Sequence, residues 1–294
     1  MMEFTCNLCG HSNRSATREL DREPPSCSSC GSNVRTRGLL QAFSMELFGA
    51  NLTLPDFPRV KSLRGIGTSD SSQYADRLAS KLDYRNTFHN REPRFDIANP
   101  AGEESGKYDF LLSSEVFEHV LPPAAAPFQN AFRVLKPHGV LVLTVPYSLD
   151  LSMAEHFPDL HDFGLASLSD RVLLINRTRE GAVQVFDNLV FHRDGSGTAL
   201  EMREFSETSL KQLLTAAGFE SVRIYSEDYP PFGIVHSESC SLPIAARKAP
   251  FAFGVESARE VVEQYRDLKQ KLDTEMQRLC GKFWFRLGHR LGLL

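Results

Sequence analysis

KYDFLLSSEVFEHVLPPAAAPFQNAFRVLKPHGVLVLTVPYS, residues 107–148, is the stretch on which the fold turns. Tyr108 to Leu112 is a short apolar run of the length of a buried strand. Ser113 to His119 is more polar and opens a turn. Pro122 and Pro123 break the chain, and Phe128 to Leu135 spaces its apolar side chains as a helix does. Lys136-Pro137-His138-Gly139 ends that helix, with a Pro just past the end and a Gly able to take positive φ. Val140 to Val145 is a second largely apolar run. Two buried strands joined through a helix make a βαβ unit, and hence a parallel sheet. Composition and periodicity alone imply parallel α/β and no more.

The surrounding chain sets bounds. With 294 residues there is enough chain for one large domain, or a medium domain with attachments. Apolar content of 41% and charged content of 24% are ordinary for a globular protein. A net charge of -4 does not describe a strongly basic nucleic-acid binder. No stretch approaches the roughly 20 apolar residues that span a bilayer. The start, MMEFTCNLCG, has neither a basic n-region nor an apolar h-region. A reducing, cytoplasmic location is therefore expected, where paired cysteines serve as metal ligands more often than as disulfides.

Residues 1–40 carry such pairs. Cys6-x-x-Cys9 is followed, after 17 residues, by Cys27-x-x-Cys30, and each pair is followed by Gly, at Gly10 and Gly31. That spacing is a zinc-site signature: two tight knuckles present four thiolates to one tetrahedral ion. The segment is too short for a core of its own, so the metal is expected to supply folding energy. A closed four-Cys site is structural; His11 is not needed as a ligand. Arg35 and Arg37 flank this zinc ribbon, but five Arg against four acidic residues in the first forty is a weak field. Packing or capping of the substrate is as good a role for it as binding nucleic acid. Gly38 to Phe48 has helical periodicity and would join the ribbon to the main domain.

The order strand, SEVFEHV, helix ending in RVLKPHG, then LVLTVP, resembles the second half of class I S-adenosylmethionine (SAM)-dependent methyltransferases. They usually read (D/S)-x-(V/L)-x-E-H-V, then LKPGG and a strand; His138 replaces a usual Gly. The resemblance implies an α/β, Rossmann-like sheet, mostly parallel with a terminal antiparallel hairpin, spanning residues 41–250. It also implies SAM as cofactor. Residues 59–70, RVKSLRGIGTSD, then stand where the first strand and glycine turn belong, with Gly65 and Gly67 letting the backbone approach the methionine end. The family's acidic residue before that turn is replaced by Leu63, so Asp70 is the candidate for the SAM amino group. Ser71 to Leu82 reads as the next helix, capped by Ser69 or Asp70, and Tyr84 to Phe88 as the second strand. No acid for the ribose is cleanly placed among Asn86, Thr87, His89, Asn90 and Glu92. Asp96-Ile97 resembles the adenine-contacting loop, and Ser113 joins the cofactor set. The gap from Phe88 to Asp96 is too short for a βαβ crossover, so either a helix is missing or the strand is misplaced.

Glu115, Glu118 and His119 are the candidate catalytic residues. On a helical turn, positions i, i+3 and i+4 share a face. His119 would act there as general base beside a carboxylate, or the three would ligate a divalent metal that activates an acceptor hydroxyl. E-x-x-E-H is similar to the metal-binding motif of ubiquinone-pathway O-methyltransferases and of small-RNA 3′-end 2′-O-methyltransferases. The latter add a later His, a part open to His156 or His161. The plainer alternative is that E-H-V only lines the pocket. His89, His192 and His236 read as ordinary surface or hydrogen-bonded residues, and Cys240 and Cys280 as inert thiols.

Residues 149–205 read as an insertion and, by analogy with the family, as a lid over the acceptor. Val172 to Phe191 has strand or hairpin character, His192 to Gly197 a turn, and Arg203, with Glu201, is a candidate acceptor contact. Ser206 caps a helix ending at Gly218; Phe219 to Tyr225 and SLPIAARK would form the terminal hairpin. Residues 251–294 form an amphipathic helix whose end, KFWFRLGHRLGLL, is basic and aromatic. It is expected to pack on its own domain or in a short coiled coil, with a partner or membrane surface as the other role. The whole reads as a methyltransferase acting on oxygen in a hydroxylated small molecule or glycan. The alternatives are an RNA or protein methyltransferase that uses the ribbon for binding, and a non-catalytic scaffold.

Overall fold

The computed structural model describes residues 1–168, 171–194 and 197–290. Its centre is a six-stranded sheet of β1 (Val60–Thr68), β2 (Leu82–Thr87), β3 (Tyr108–Ser114), β4 (Leu135–Thr144), β5 (Ser221–Ile224) and β6 (Ile244–Arg247), in the order β5-β6-β4-β3-β1-β2. Strands β4, β3, β1 and β2 run parallel, and β6 is antiparallel to both β4 and β5. This is the α/β sheet with a terminal antiparallel hairpin. Helices α1 (Val34–Phe48), α2 (Ser72–Lys81), α3 (Ala126–Val134), α4 (Glu207–Ala217) and α5 (Val255–Arg290) accompany it.

The stretch 107–148 folds as strand, turn, helix, strand. Phe110, Leu111 and Leu112 are fully buried, as are Val140 to Leu143, because the sheet is covered on both faces. The Leu135 backbone is already extended, so LKPHG begins β4 rather than forming a helical cap, and Gly139 does not take positive φ. Between β2 and β3 there is no α-helix among the described residues, only the short turn Gly102–Glu104. The crossover helix is therefore missing, and the chain returns through an irregular segment. Helix α2 starts one residue later than expected: the Ser71 hydroxyl, not Ser69 or Asp70, accepts from the Gln73 N–H. Ser206 caps α4 and Gly218 closes it at φ 108.

The ribbon is not separate from this core. The hairpin Met2–Thr5/Ser12–Ser15 and the two knuckles pack Phe4, Leu8 and Leu20 into one apolar cluster with Phe43 of α1, Phe110 and Val142. Helix α1 runs straight through residue 40. Arg37 on it is fully buried and donates to the carbonyls of Ser32 and Gly233, at 2.9 Å each. Gly233 lies so close to Phe4 that a Cβ there would meet the ring at 2.6 Å.

Within residues 149–205, Asp162–Leu168, Arg171–Arg177 and Val183–Phe186 make an antiparallel sheet, whose last two strands form a hairpin inside Val172 to Phe191, and Phe191–Asp194 pairs with Gly197–Leu200. The turn expected over His192 to Gly197 is in part strand, and its residues 195–196 lie outside the described residues. At its start α5 is tied to the sheet domain by Gln264 on the Arg59 backbone and Ser257 on Ser62. Further along, Leu268, Leu272, Met276 and Leu279 are exposed, and the last four residues of the basic-aromatic end lie outside the described residues. Among the described residues no helix is long and apolar enough to cross a membrane.

Candidate active site

The strand order reverses between β1 and β3, since β2 lies on one side and β3 and β4 on the other. In such sheets ligands bind beyond the carboxyl ends of the strands at that point. Two adjoining cavities open there, of about 1120 Å³ and about 390 Å³. Ser69, Glu115, Val116, His119 and Ala199 line both, so they form one cleft. Thr68 Oγ1 and Ser113 Oγ, 2.9 Å apart, stitch its floor.

The smaller cavity is lined by Thr87, His89, Asn90, Phe95, Asp96, Ile97 and Ala98. Phe95 and Ile97 give it an apolar wall, and Asp96 Oδ1 accepts from the Ala98 N–H at 2.9 Å. Asp96 and Ile97 therefore stand where a base could be held, and His89 and Asn90, not an acid, stand beside them. The larger cavity carries Ser69, Asp70 and Ser71 of the turn after β1, together with Ser114, Glu115 and residues of the ribbon.

The glycine loop differs from expectation. Gly65 and Gly67 lie inside β1 and line neither cavity. A Cβ on Gly65 would fall 2.6 Å from Phe110 Cδ2 and nearer still to Cε2 and Cζ. One on Gly67 would fall 2.8 Å from Tyr84 Cζ and overlap the Tyr84 hydroxyl and Asp70 Oδ2. These glycines make room for neighbouring side chains; the residue that turns the chain at the cleft with positive φ is Ser69, at φ 58. Asp70 is buried and accepts from the hydroxyls of Tyr74 (2.8 Å) and Tyr84. Burial pushes its pKa up to about 6 despite those two bonds. Leu63 is buried in the core. Ser113 is fully buried, and its neighbour Ser114 lines the cleft instead.

The three-residue face also differs. Glu115 has φ 55 and precedes the short 3-10 turn Phe117–His119, so it leaves the face shared by Glu118 and His119. Its carboxylate is taken by the Arg22 guanidinium, 2.9 Å away. Glu118 is 1% exposed, and neither of its carboxyl oxygens has a hydrogen-bond partner. Burial, reinforced by the nearby Glu115 charge, holds its pKa well above the usual carboxylate range. His119 lines both cavities. Its Nδ1 lies 3.0 Å from the Leu200 carbonyl, which can only accept, so Nδ1 carries the hydrogen. In a neutral ring so oriented Nε2 holds the lone pair, and it lies 3.6 Å from Glu118 Oε1. These three residues do not converge as a ligand set for a divalent ion.

His192, expected to be an ordinary surface or hydrogen-bonded residue, is hydrogen-bonded and stands at this cleft. Its ring centroid is 5.3 Å from that of His119, and its Nε2 lies 2.7 Å from Glu201 Oε2. Glu201 Oε1 meets His156 Nε2 at 2.9 Å. His156 is thus one step behind His192 and lines neither cavity. His161 is exposed on the insertion, outside the cleft. Arg203 is fully buried and donates to the carbonyls of Val120 (2.6 Å) and Phe117 (3.2 Å) and to Glu155 (2.7 Å). It fastens the insertion to the His119 turn and does not reach the acceptor space.

Among the described residues one group of side chains is arranged to hold a metal: Cys6, Cys9, Cys27 and Cys30, whose sulfurs all lie within 4.8 Å of one another. Cys6–Cys30 and Cys9–Cys27 are 3.6 and 3.7 Å apart. Tetrahedral zinc with Zn–S near 2.3 Å sets its sulfurs roughly 3.8 Å apart, so the donor set fits a structural zinc ion. The cleft fits SAM equally well, with an apolar wall for a base at one end and a polar, hydroxyl-rich turn at the other.

No curated protein matches this chain. Many solved structures match this chain, among them three of low identity. A citrinin polyketide synthase CMeT domain is 16% identical, over 64% of this chain and 46% of that one, with TM-score 0.35. The CurJ carbon methyltransferase is 12% identical, over 74% and 56%, with TM-score 0.42. The chain thus spans about half the length of these two relatives. A protein from Listeria monocytogenes assigned as a SAM-dependent methyltransferase is 11% identical, over 73% and 99%, with TM-score 0.40. The profile of the family described as "Methyltransferase domain" matches residues 41–224, more than half of the chain. That match covers β1 to β5 and the cleft at the switch point apart from the wall lent by the ribbon and the start of α1, and it places the chain in the class I SAM-dependent methyltransferase family.

Proposed function

We propose that the chain methylates a hydroxyl oxygen on a small molecule or glycan, with His119 as general base. The observation that carries this reading is the His119 ring. Its Nδ1–H is engaged by the Leu200 carbonyl, which orients the Nε2 lone pair beside Glu118 at the junction of the two cavities. SAM, when bound, supplies an electrophilic methyl group and does not require an enzyme nucleophile. The chain must then hold the acceptor in line, exclude water and take up the hydroxyl proton.

Asp96, Ile97 and Phe95 hold the adenosine end in the smaller cavity. The larger cavity exceeds the roughly 300–1,000 Å³ of ordinary ligand pockets, which leaves space for an acceptor beside the cofactor. The insertion, fastened by Arg203, roofs that space and keeps His192 near the base. The chain's net charge of -4 favours a small acceptor over a polyanion.

The test is to incubate the zinc-loaded protein with SAM and a panel of hydroxylated metabolites and sugars, and to follow S-adenosylhomocysteine (SAH). Methyl transfer is expected, and His119→Ala should lower kcat by about 10²–10⁴ with little change in SAH affinity. Unchanged turnover in His119→Ala would remove the general base from this reading. SAH binding without transfer to any acceptor would favour a scaffold.

A further inference from the structure

The ribbon forms one wall of the cleft, and it places two cations there. Arg22 lies five residues before Cys27, and Arg35 lies five residues after Cys30. The second knuckle folds the chain back between them: Gly31 N–H donates to the Cys27 carbonyl, and the Ser26 and Cys27 N–H groups both donate to Ser32. The two arms then run side by side. Arg35 N–H donates to the Arg22 carbonyl at 3.2 Å, and Asn33 Nδ2 donates to the Glu23 carbonyl at 3.0 Å.

From those arms the side chains cross to the end of β3. Arg22 Nη2 meets Glu115, and its Nε donates to the Ser241 carbonyl at 3.1 Å. Arg35 Nη1 donates to Ser114 Oγ at 2.5 Å, while Nε and Nη2 grip Glu23. These bonds use three of the five N–H groups of Arg35, so two are left on a guanidinium that lines the larger cavity beside Ser69 and Asp70. A planar guanidinium with two donors to spare matches a carboxylate.

We infer that Arg35, positioned by the metal-closed knuckle and by Arg22, binds the α-carboxylate of SAM, so that zinc loading and cofactor binding are coupled. This rests on the reading of the cleft as the SAM site. The adenosine half sits in the smaller cavity, away from the ribbon; the amino-acid half extends toward Ser69, Ser71 and Arg35. Opening the knuckle separates residues 21–23 from 33–35, and the Arg35 fork loses both its Glu23 brace and its place beside Ser114. Linkage is reciprocal, so SAM or SAH should in turn slow the loss of zinc.

Two ligands separate the halves: SAH carries the carboxylate, and 5′-methylthioadenosine carries the adenosine without it. Calorimetry on the full chain should show SAH affinity at least tenfold weaker in Arg35→Met, whose four cysteines and zinc content are intact. 5′-Methylthioadenosine affinity should be unchanged. Removing zinc with a chelator should weaken SAH by at least the same factor and methylthioadenosine less, with circular dichroism confirming that the sheet domain is still folded. Equal loss for both ligands in Arg35→Met, or none for either, overturns the assignment of the carboxylate to Arg35. Full SAH affinity in the zinc-free chain overturns the coupling. Failure of the zinc-loaded native chain to bind either ligand overturns the coupling together with the SAM reading of the cleft. Ligand binding without transfer to any acceptor touches only the proposed reaction.

Discussion

Glu118→Gln is the sharpest probe of the site's electrostatics. The native carboxyl is buried, has no hydrogen-bond partner, and is held protonated well above the usual carboxylate range. Its folded-state pKa is therefore higher than its unfolded value of about 4.3. The stabilisation that follows is fully present below that unfolded value and is lost as pH rises toward the folded one. The loss is about 1.4 kcal/mol per pH unit while the folded chain keeps its proton and the unfolded chain does not. Asp70, pushed up to about 6, adds a parallel loss between about pH 4 and 6 and nothing above it. Glutamine has the same shape and no titration. The difference in unfolding free energy between native chain and Glu118→Gln should thus shift in favour of the variant as pH rises above about 4.3, by at most about 1.4 kcal/mol per pH unit. Asp70 cancels in this difference. Urea unfolding at pH 4.5, 5, 6 and 7, with equal m-values, measures it. Stability curves that run parallel from pH 5 to 7 would refute the reasoning, because Glu118 would then ionise as an exposed carboxyl does.

Three further outcomes are expected. Gly65→Ala should destabilise by about 1–3 kcal/mol or more through overlap with Phe110, while the folded fraction binds SAH normally; a stable variant with weakened SAH binding would return the glycine to the cofactor. Arg203→Met should cost about 3–5 kcal/mol, since it strands Glu155 and the carbonyls of Phe117 and Val120, and the loss should show in denaturant unfolding even without substrate. Cys6→Ser should reduce bound zinc from about one ion per chain to a small fraction by elemental analysis and lower the thermal midpoint; full zinc retention would contradict the four-sulfur site.

The parallel sheet was legible in residues 107–148 because both strands of that unit are covered on both faces and so read as unbroken apolar runs. The four cysteines were legible because metal geometry constrains their spacing locally. A G-x-G looks the same inside a strand as in a loop, so the pattern alone points to a cofactor turn that Gly65 and Gly67 do not form. What distinguishes the two is Phe110 and Tyr84, on neighbouring strands and distant in sequence. Glu115 shares a face with Glu118 and His119 only in a regular helical turn, which its left-handed backbone breaks. His192 carried no local signal, since its partner His119 lies 73 positions earlier in the chain. Arg203 illustrates the converse: a charged residue beside a presumed acceptor space is here a fully buried fastening.

The seating of the ribbon against the core has a consequence for biosynthesis. Arg22 bonds to Ser241, 219 positions away, and Arg37 to Gly233, 196 positions away. The first forty residues leave the ribosome long before these partners exist. The cysteine knuckles can capture metal early, from local sequence alone, but the cover over the ribbon is incomplete until the segment that carries Gly233 and Ser241 has been made. Such distant pairing is slow and leaves greasy surface open in the meantime. An early-bound ion would keep the nascent ribbon compact during that wait, so zinc starvation should reduce the soluble yield of newly made chains more than it harms chains already folded.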